Sequence, residues 1–466
     1  MPDIIPNEGL LDRALRRVSS LWRDMAERVS GPEETSDLAE QMRVCLAARG
    51  GEVSARARAA NLAQAYVAAD AGGRRAFLRT LASFDSDPEA VARAADALGA
   101  ARDPESAAAA KVRLRRALEP PRLRLLTQFT TIPDGMKFLV DLRGELLQLA
   151  DGDGMLAALE ADMKGLLANW FDVGFLELRR IDWSSPAALL EKLVDYEAVH
   201  RIRTWRDLKN RLDSDRRCYA FFHPRMPEEP LIFVEVALVQ GLSDSVQRLL
   251  DQKAPVLDPK AADTAIFYSI NNCQRGLDGI AFGNFLIKRV VETLSGELRG
   301  LKHFATLSPI PGFARWLAER EQAAEDGLLQ EGEAMALRKA AAVPPATHPT
   351  AALALLMARR NWPREPLLNA TLEPILLRLC ARYLLSEGGR NPKRARDPVG
   401  HFHLSNGARV ERINWLADTS AKGMAESAGL MVNYLYDPGK IEDHHEAYAG
   451  EGKRAASAMV RKLLKA

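Results

Sequence analysis

Apolar residues recur at helical spacing through the first third of the chain. Leu10, Ala14, Val18, Leu21, Met25 and Val29 form one stripe with charged residues between them, which predicts an amphipathic helix. A second helix is predicted from Ser36 to the Gly50-Gly51 pair. A third is predicted over residues 88–98, with Ser86 and Glu89 at capping-box spacing, Pro88 in the first turn and Gly99 at the end. Periodic segments continue to about Lys164, split by Pro120-Pro121 and by Asp151-Gly152-Asp153-Gly154. No segment repeats at a fixed period, so a solenoid is not indicated. The pattern predicts an all-helical domain over residues 1–167.

Near Trp170 the period changes. Residues 175–181, 218–222, 231–239, 265–270 and 303–307 are short and rich in β-branched or aromatic side chains, and read as strands. Within 231–239, Ile232, Val234, Val236 and Leu238 fall on one face and Phe233, Glu235 and Ala237 on the other, as in a sheet with one covered face. Residues 223–230 separate two strands, and their prolines forbid a helix and suggest a hairpin. Helical patterns between the strands make residues 168–466 a mixed α and β domain. The segments 321–350 and 387–398 read as insertions or mobile loops outside the core. The basic run Lys393-Arg394-Ala395-Arg396 is expected to be a solvated loop.

Composition narrows the class. With 466 residues, one core is unlikely to serve the whole chain. Apolar residues make up 47% and charged residues 27%, which is the balance of a water-soluble globular protein. Lys plus Arg total 64 against 62 for Asp plus Glu, so the net charge of +2 gives no field for a nucleic acid or an acidic membrane. No apolar run approaches the roughly 20 residues that span a bilayer. Cys45, Cys218, Cys273 and Cys380 are scattered, which argues against a disulfide framework and, with no signal-like amino terminus, leads to a cytoplasmic expectation. His444-His445 is the only adjacent histidine pair, and neighbouring residues diverge on a helix, so no metal site is expected there.

The most informative span is 265–294: an apolar strand, then Asn271 to Asn284 with Gly276, Gly279 and Gly283, then an amphipathic helix. Glycines let backbone N–H groups approach an anion, and the helix N-terminus adds partial positive charge. The segment matches neither the Walker nor the GxGxxG pattern. On spacing alone it fits an ordinary strand-to-helix turn as well as a phosphate cradle. Its Gly-x-Ala-x-Gly followed by a helix resembles the pyrophosphate loop of the Gcn5-related N-acetyltransferase (GNAT) fold, whose ligand is an acyl-coenzyme A.

Three further segments follow in order: Ser308-Pro309-Ile310-Pro311-Gly312-Phe313, then Phe402-His403-Leu404-Ser405-Asn406-Gly407-Ala408 with Arg412-Ile413-Asn414-Trp415, and Asn433-Tyr434-Leu435-Tyr436. Together with the glycine loop they resemble the malonyl-CoA decarboxylase family. The resemblance implies a helical domain used in self-association, as a dimer or tetramer, and an acetyltransferase-like (GNAT-like) catalytic domain. It implies that Ser308 and His403 are catalytic and that Tyr436 lines their site. Gln274, Arg275, Gly276, Asp278, Gly279, Gly283 and Asn284 would then bind coenzyme A, with Lys288 or the run at Lys393 near its 3′-phosphate. Some relatives carry Glu at the position of Ala281, so any role of that carboxylate is not carried over. The implied substrate and product are malonyl-CoA and acetyl-CoA. Because the thioester itself accepts electrons, no organic cofactor or metal is implied. An amine acyltransferase and a non-catalytic acyl-CoA sensor are the competing readings.

Overall fold

The structure is a computed structural model that describes Trp22 and residues 37–47, 51–280, 283–359, 361–389 and 391–465. The predicted stripe from Leu10 to Val29 lies outside the described residues. Of the second predicted helix, Leu38–Leu46 is described, and Asp37 caps it by accepting Ala39 N–H; Ser36 lies outside the described residues. Helices Gly51–Ala68, Ala71–Ser83, Pro88–Ala100, Pro104–Leu118, Arg122–Phe129, Gly135–Leu149 and Gly154–Trp170 follow. Aspartates start several of them: Asp70, Asp87, Asp103 and Asp153 each accept backbone N–H groups of the first turn. The cap before Pro88 is therefore Asp87 and not Ser86, because proline takes the first helical position, and the helix runs through Gly99 to Ala100. Trp22, Tyr66, Phe77, Phe129 and Phe138 meet edge to face at the centre of this domain.

Among the described residues, the second part is built on one eight-stranded sheet. Its strands are β1 (Glu177–Ile181), β2 (Arg216–His223), β3 (Met226–Val239), β4 (Thr264–Asn272), β5 (His303–Thr306), β6 (Ser308–Pro309), β7 (Arg409–Asn414) and β8 (Met431–Tyr436). The order is β1-β2-β3-β4-β5-β8-β6, with β7 on β8, and β4 and β5 are parallel. The β2–β3 hairpin is present, but its turn is shorter than predicted, since β3 starts at Met226. Pro227 and Pro230 are tolerated because β3 meets β4 only from Ile232 onward, so the prolines lie where one edge needs no donor.

Both faces of the sheet are covered, contrary to the one-sided expectation. Ile232, Val234, Val236 and Leu238 pack with Leu286, Ile287, Val290 and Leu294 of helix Gly283–Glu297. On the other face Phe233 packs with Leu190 and Leu193 of helix Ala187–Tyr196 and with Leu208 of helix Trp205–Arg211. Glu235 is buried on that face at 1% exposure.

The two segments read as loops are structured. Within 321–350 a helix, Glu331–Ala341, starts with a reciprocal capping box between Gln330 and Glu333, and Leu337 joins the main core. Arg378 holds it through Glu333 and through Leu328 O at 3.0 Å. The signal was the Gln-x-x-Glu spacing, outweighed by the polar composition. Segment 387–398 folds back on itself by a Gly388–Ala395 bridge, anchored where Ala395 N–H donates to Tyr448 OH at 2.8 Å.

Candidate active site

A break between strands makes the cavity. β4 and β5 pair from Thr264 with His303 to Phe267 with Thr306, and Leu307 N–H closes the ladder on Phe267 O at 3.0 Å. Beyond that point β4 continues along β3, with a bulge at Tyr268, while β6 stays with β8. The diverging ends leave a cavity of about 440 Å³. Phe267, Ser269, Ile270 and Asn272 form one wall and Ser308 and Pro309 the other. Pro398, Val399, Phe402 and His403 of helix Pro398–Ser405 close it. Asp397 caps this helix at Gly400 N–H, and burial pushes its carboxyl up to about 6. No charged side chain of the described residues lines the cavity.

Ser308, His403 and Tyr436 converge here, although they come from three separate stretches of sequence. Ser308 Oγ is 3.0 Å from His403 Nε2, and Tyr436 OH is 2.7 Å from His403 Nδ1. The imidazole stacks on Tyr434 with ring centres 4.5 Å apart. Burial alone pushes its pKa down to about 3, so the ring is neutral at physiological pH. Burial also drives the Tyr436 phenol well above its usual range, which keeps it a donor. Nδ1 therefore accepts from Tyr436, and the ring proton sits on Nε2. Nε2–H in turn donates to Ser308 Oγ, whose own hydroxyl donates to Thr306 Oγ1 at 2.8 Å. Thr306 Oγ1 also accepts Tyr434 N–H at 3.1 Å.

The direction of this chain matters. In a hydrolytic triad a carboxylate behind the histidine makes it a base toward serine. A phenol behind His403 does the opposite, so the site presents an N–H donor rather than an activated nucleophile. Tyr436 does not line the cavity; it is buried behind the imidazole and sets the tautomer.

Anionic groups stand behind the opposite wall. Ser269 Oγ and Asn271 Nδ2 both donate to Glu197 Oε2 at 2.7 Å. Deeper still, Arg211 Nη1 meets Glu235 Oε2 at 2.9 Å. Burial pushes the Glu235 carboxyl up to about 7, against the opposing pull of Arg211. The negative charge is thus held by protein donors and kept out of the cavity.

Comparison with known proteins decides the family. The family model described as "Malonyl-CoA decarboxylase C-terminal domain" matches residues 174–466, and the one described as "Malonyl-CoA decarboxylase N-terminal domain" matches 84–171. The chain belongs to the malonyl-CoA decarboxylase family. It is accordingly a carboxy-lyase. Mitochondrial malonyl-CoA decarboxylase of Anser anser anser is 37% identical over 421 residues, covering 86% of this chain and 82% of that relative. The protein of the same name from Mus musculus is 37% identical over 367 residues, covering 76% and 73%. Among solved structures, the crystal structure of malonyl-CoA decarboxylase from Agrobacterium vitis has a TM-score of 0.83 at 41% identity, covering 92% of this chain and all of that one. That from Rhodopseudomonas palustris has 0.81 at 42%, with the same coverage.

The cytoplasmic expectation is corrected by these relatives, since the animal enzymes are named mitochondrial. All four cysteines are buried and free, and free thiols fit any reducing compartment, so they never favoured the cytoplasm.

The residues expected to bind coenzyme A are divided by the structure. Arg275, Asp278 and Gly279 are exposed on the turn after β4, and Gly279 has φ +77°. Gln274 is buried and donates to Pro230 O at 3.0 Å, which makes it a strut of the turn. Gly276 is buried against Val140 of the helical domain. Lys288 Nζ is 2.6 Å from Glu442 Oε1, and Lys393 Nζ donates to Gly450 O at 3.2 Å, so both cations already have protein partners. Gly283 opens the following helix; the side chain of Asn284, and Ala281 altogether, lie outside the described residues. His444 and His445 direct Nδ1 to Gly407 O and Ser405 O and brace the end of helix Pro398–Ser405.

Thr306, Tyr434 and Ser269 were missed. Thr306 and Ser308 are two apart, as are Tyr434 and Tyr436, and a period of two places each pair on one side of an extended chain. That spacing was the available signal.

Proposed function

We propose that the chain decarboxylates malonyl-CoA to acetyl-CoA and carbon dioxide, with His403 Nε2–H as the proton donor. The observation that carries this reading is the Tyr436–His403–Ser308–Thr306 chain ending in an apolar cavity. Cleavage moves the electron pair of the carboxylate carbon–carbon bond into the thioester, giving an enolate, and the α-carbon then takes one proton. Neither a cofactor nor a metal enters this scheme, because the thioester is the electron sink.

Ser308 is read as turning its hydroxyl from Thr306 Oγ1 to the malonyl carboxylate, held out of the thioester plane so that the breaking bond overlaps the carbonyl π system, which also frees His403 Nε2–H for the α-carbon. An N–H donor on a neutral ring suits the second step, since an enolate carbon is more basic than the imidazolate that the transfer leaves, and solvent returns a proton to Nε2 once product departs. The apolar walls offer the carboxylate no cation, which favours the state in which charge has left it for the thioester oxygen. Thr306 and Tyr436 keep the two acting groups in register.

The coenzyme A moiety is read as entering along the diverging β4 and β5, with its nucleotide at the turn between β4 and helix Gly283–Glu297. Antiparallel β2–β3–β4 followed by a parallel, then parting, β5 supports the acetyltransferase-like (GNAT-like) assignment. Incubation with malonyl-CoA alone, followed by mass spectrometry, tests the reaction: loss of one carbon dioxide is expected, whereas an acyltransferase would need an amine. Ser308→Ala and His403→Asn should each lower turnover by roughly a hundred- to a thousandfold, the usual effect of removing one such donor. If both variants keep near-normal turnover, the assignment of roles fails.

A further inference from the structure

The turn after β4 is held by the helical domain. Arg143, 1% exposed on helix Gly135–Leu149, donates from Nη1 to Gly276 O at 2.5 Å and from Nη2 to Asp278 O at 3.0 Å. Glu160 grips the same guanidinium through Nε at 3.1 Å and Nη2 at 2.7 Å. Any side chain at Gly276 would collide with the helix, since its Cβ would lie 1.7 Å from Val140 O. At the outer end of the turn, a Cβ on Gly279 would stand 3.3 Å from Nζ of Lys164, on helix Gly154–Trp170. Lys164 is exposed and forms no ion pair among the described residues. Asn272 and Ile280, on either side of this turn, line the catalytic cavity.

Two consequences follow for an anion. With their oxygens drawn to Arg143, the carbonyls of Gly276 and Asp278 are turned away from an incoming phosphate. A free ammonium then sits over the one glycine of the turn with positive φ. We propose that the helical domain forms a wall of the nucleotide end of the acyl-CoA site. Lys164 contacts the phosphates, and Arg143 is a positioning residue that sets the backbone of the turn. This rests on the reading of that turn as the nucleotide loop.

The test compares malonyl-CoA with malonyl-pantetheine, which keeps the thioester and lacks the nucleotide. Lys164→Ala, a surface change, should raise KM for malonyl-CoA about tenfold, equivalent to about 1.4 kcal/mol, with kcat within about threefold. Lys164→Arg should restore it, and the gap from wild type should close on malonyl-pantetheine. Arg143→Met should give the same KM pattern, and if it does not fold, Lys164→Ala and Lys164→Glu decide alone. If wild type prefers malonyl-CoA yet the Lys164 variants leave its KM within about twofold, the proposal is overturned and the nucleotide-loop reading stands. If wild type handles both substrates with the same KM, that reading fails and takes the proposal with it.

Discussion

Acid sensitivity measures whether His403 is held neutral. Burial lowers its imidazole from 6.5 to about 3, so between those values the unfolded chain binds a proton that the folded protein refuses. The contribution of the neutral ring is complete above the unfolded value and is lost as pH falls toward the folded one. Each pH unit inside the window removes about 1.36 kcal/mol, which amounts to about 2 kcal/mol by about pH 5. Urea unfolding of wild type and His403→Asn, at neutral pH and at about pH 5, isolates this effect, because asparagine gains no proton and other titrating groups cancel in the difference. Whatever the offset at neutral pH, the stability of wild type should fall relative to the variant by about 2 kcal/mol on acidification. A difference that stays constant over that range refutes the neutral, buried imidazole, and with it the assignment of the proton to Nε2.

Three other outcomes are expected. Tyr436→Phe removes the donor to Nδ1 and should lower turnover roughly ten- to hundredfold while leaving KM for malonyl-CoA within about twofold, read by carbon dioxide release. Gly276→Ala drives a methyl group into Val140 O and should cost upwards of about 3 kcal/mol in thermal or urea unfolding. Arg211→Met strands the buried carboxylate of Glu235 and should destabilise by about 3–5 kcal/mol at neutral pH; Arg211→Met with Glu235→Leu should recover much of that loss.

Apolar periodicity was enough to separate a helical first part from a mixed second part and to find β1 to β5, because those features depend on neighbours within a few residues. The helix Glu331–Ala341 was hidden by its polar composition, since what stabilises it is Leu337 in a distant core and Arg378 gripping Glu333. Glu235 looked like the outer face of a strand. Its burial follows from Arg211, which approaches from a helix 24 residues earlier in the chain and supplies the counter-charge.

Residue order and motif, through the family they resemble, singled out Ser308, His403 and Tyr436 as candidates for the chemistry before any geometry is known. Tertiary structure alone decided what they can do. The parting of β4 from β5 opens the space they face, and the phenol of Tyr436 behind His403 sets which nitrogen holds the proton. The packing of Val140 and Arg143 on the turn after β4 ties the helical domain to the strand that walls the cavity. Such contacts join residues more than 30 and as many as 135 positions apart, so their energies depend on closing long loops of chain and leave no trace in local pattern.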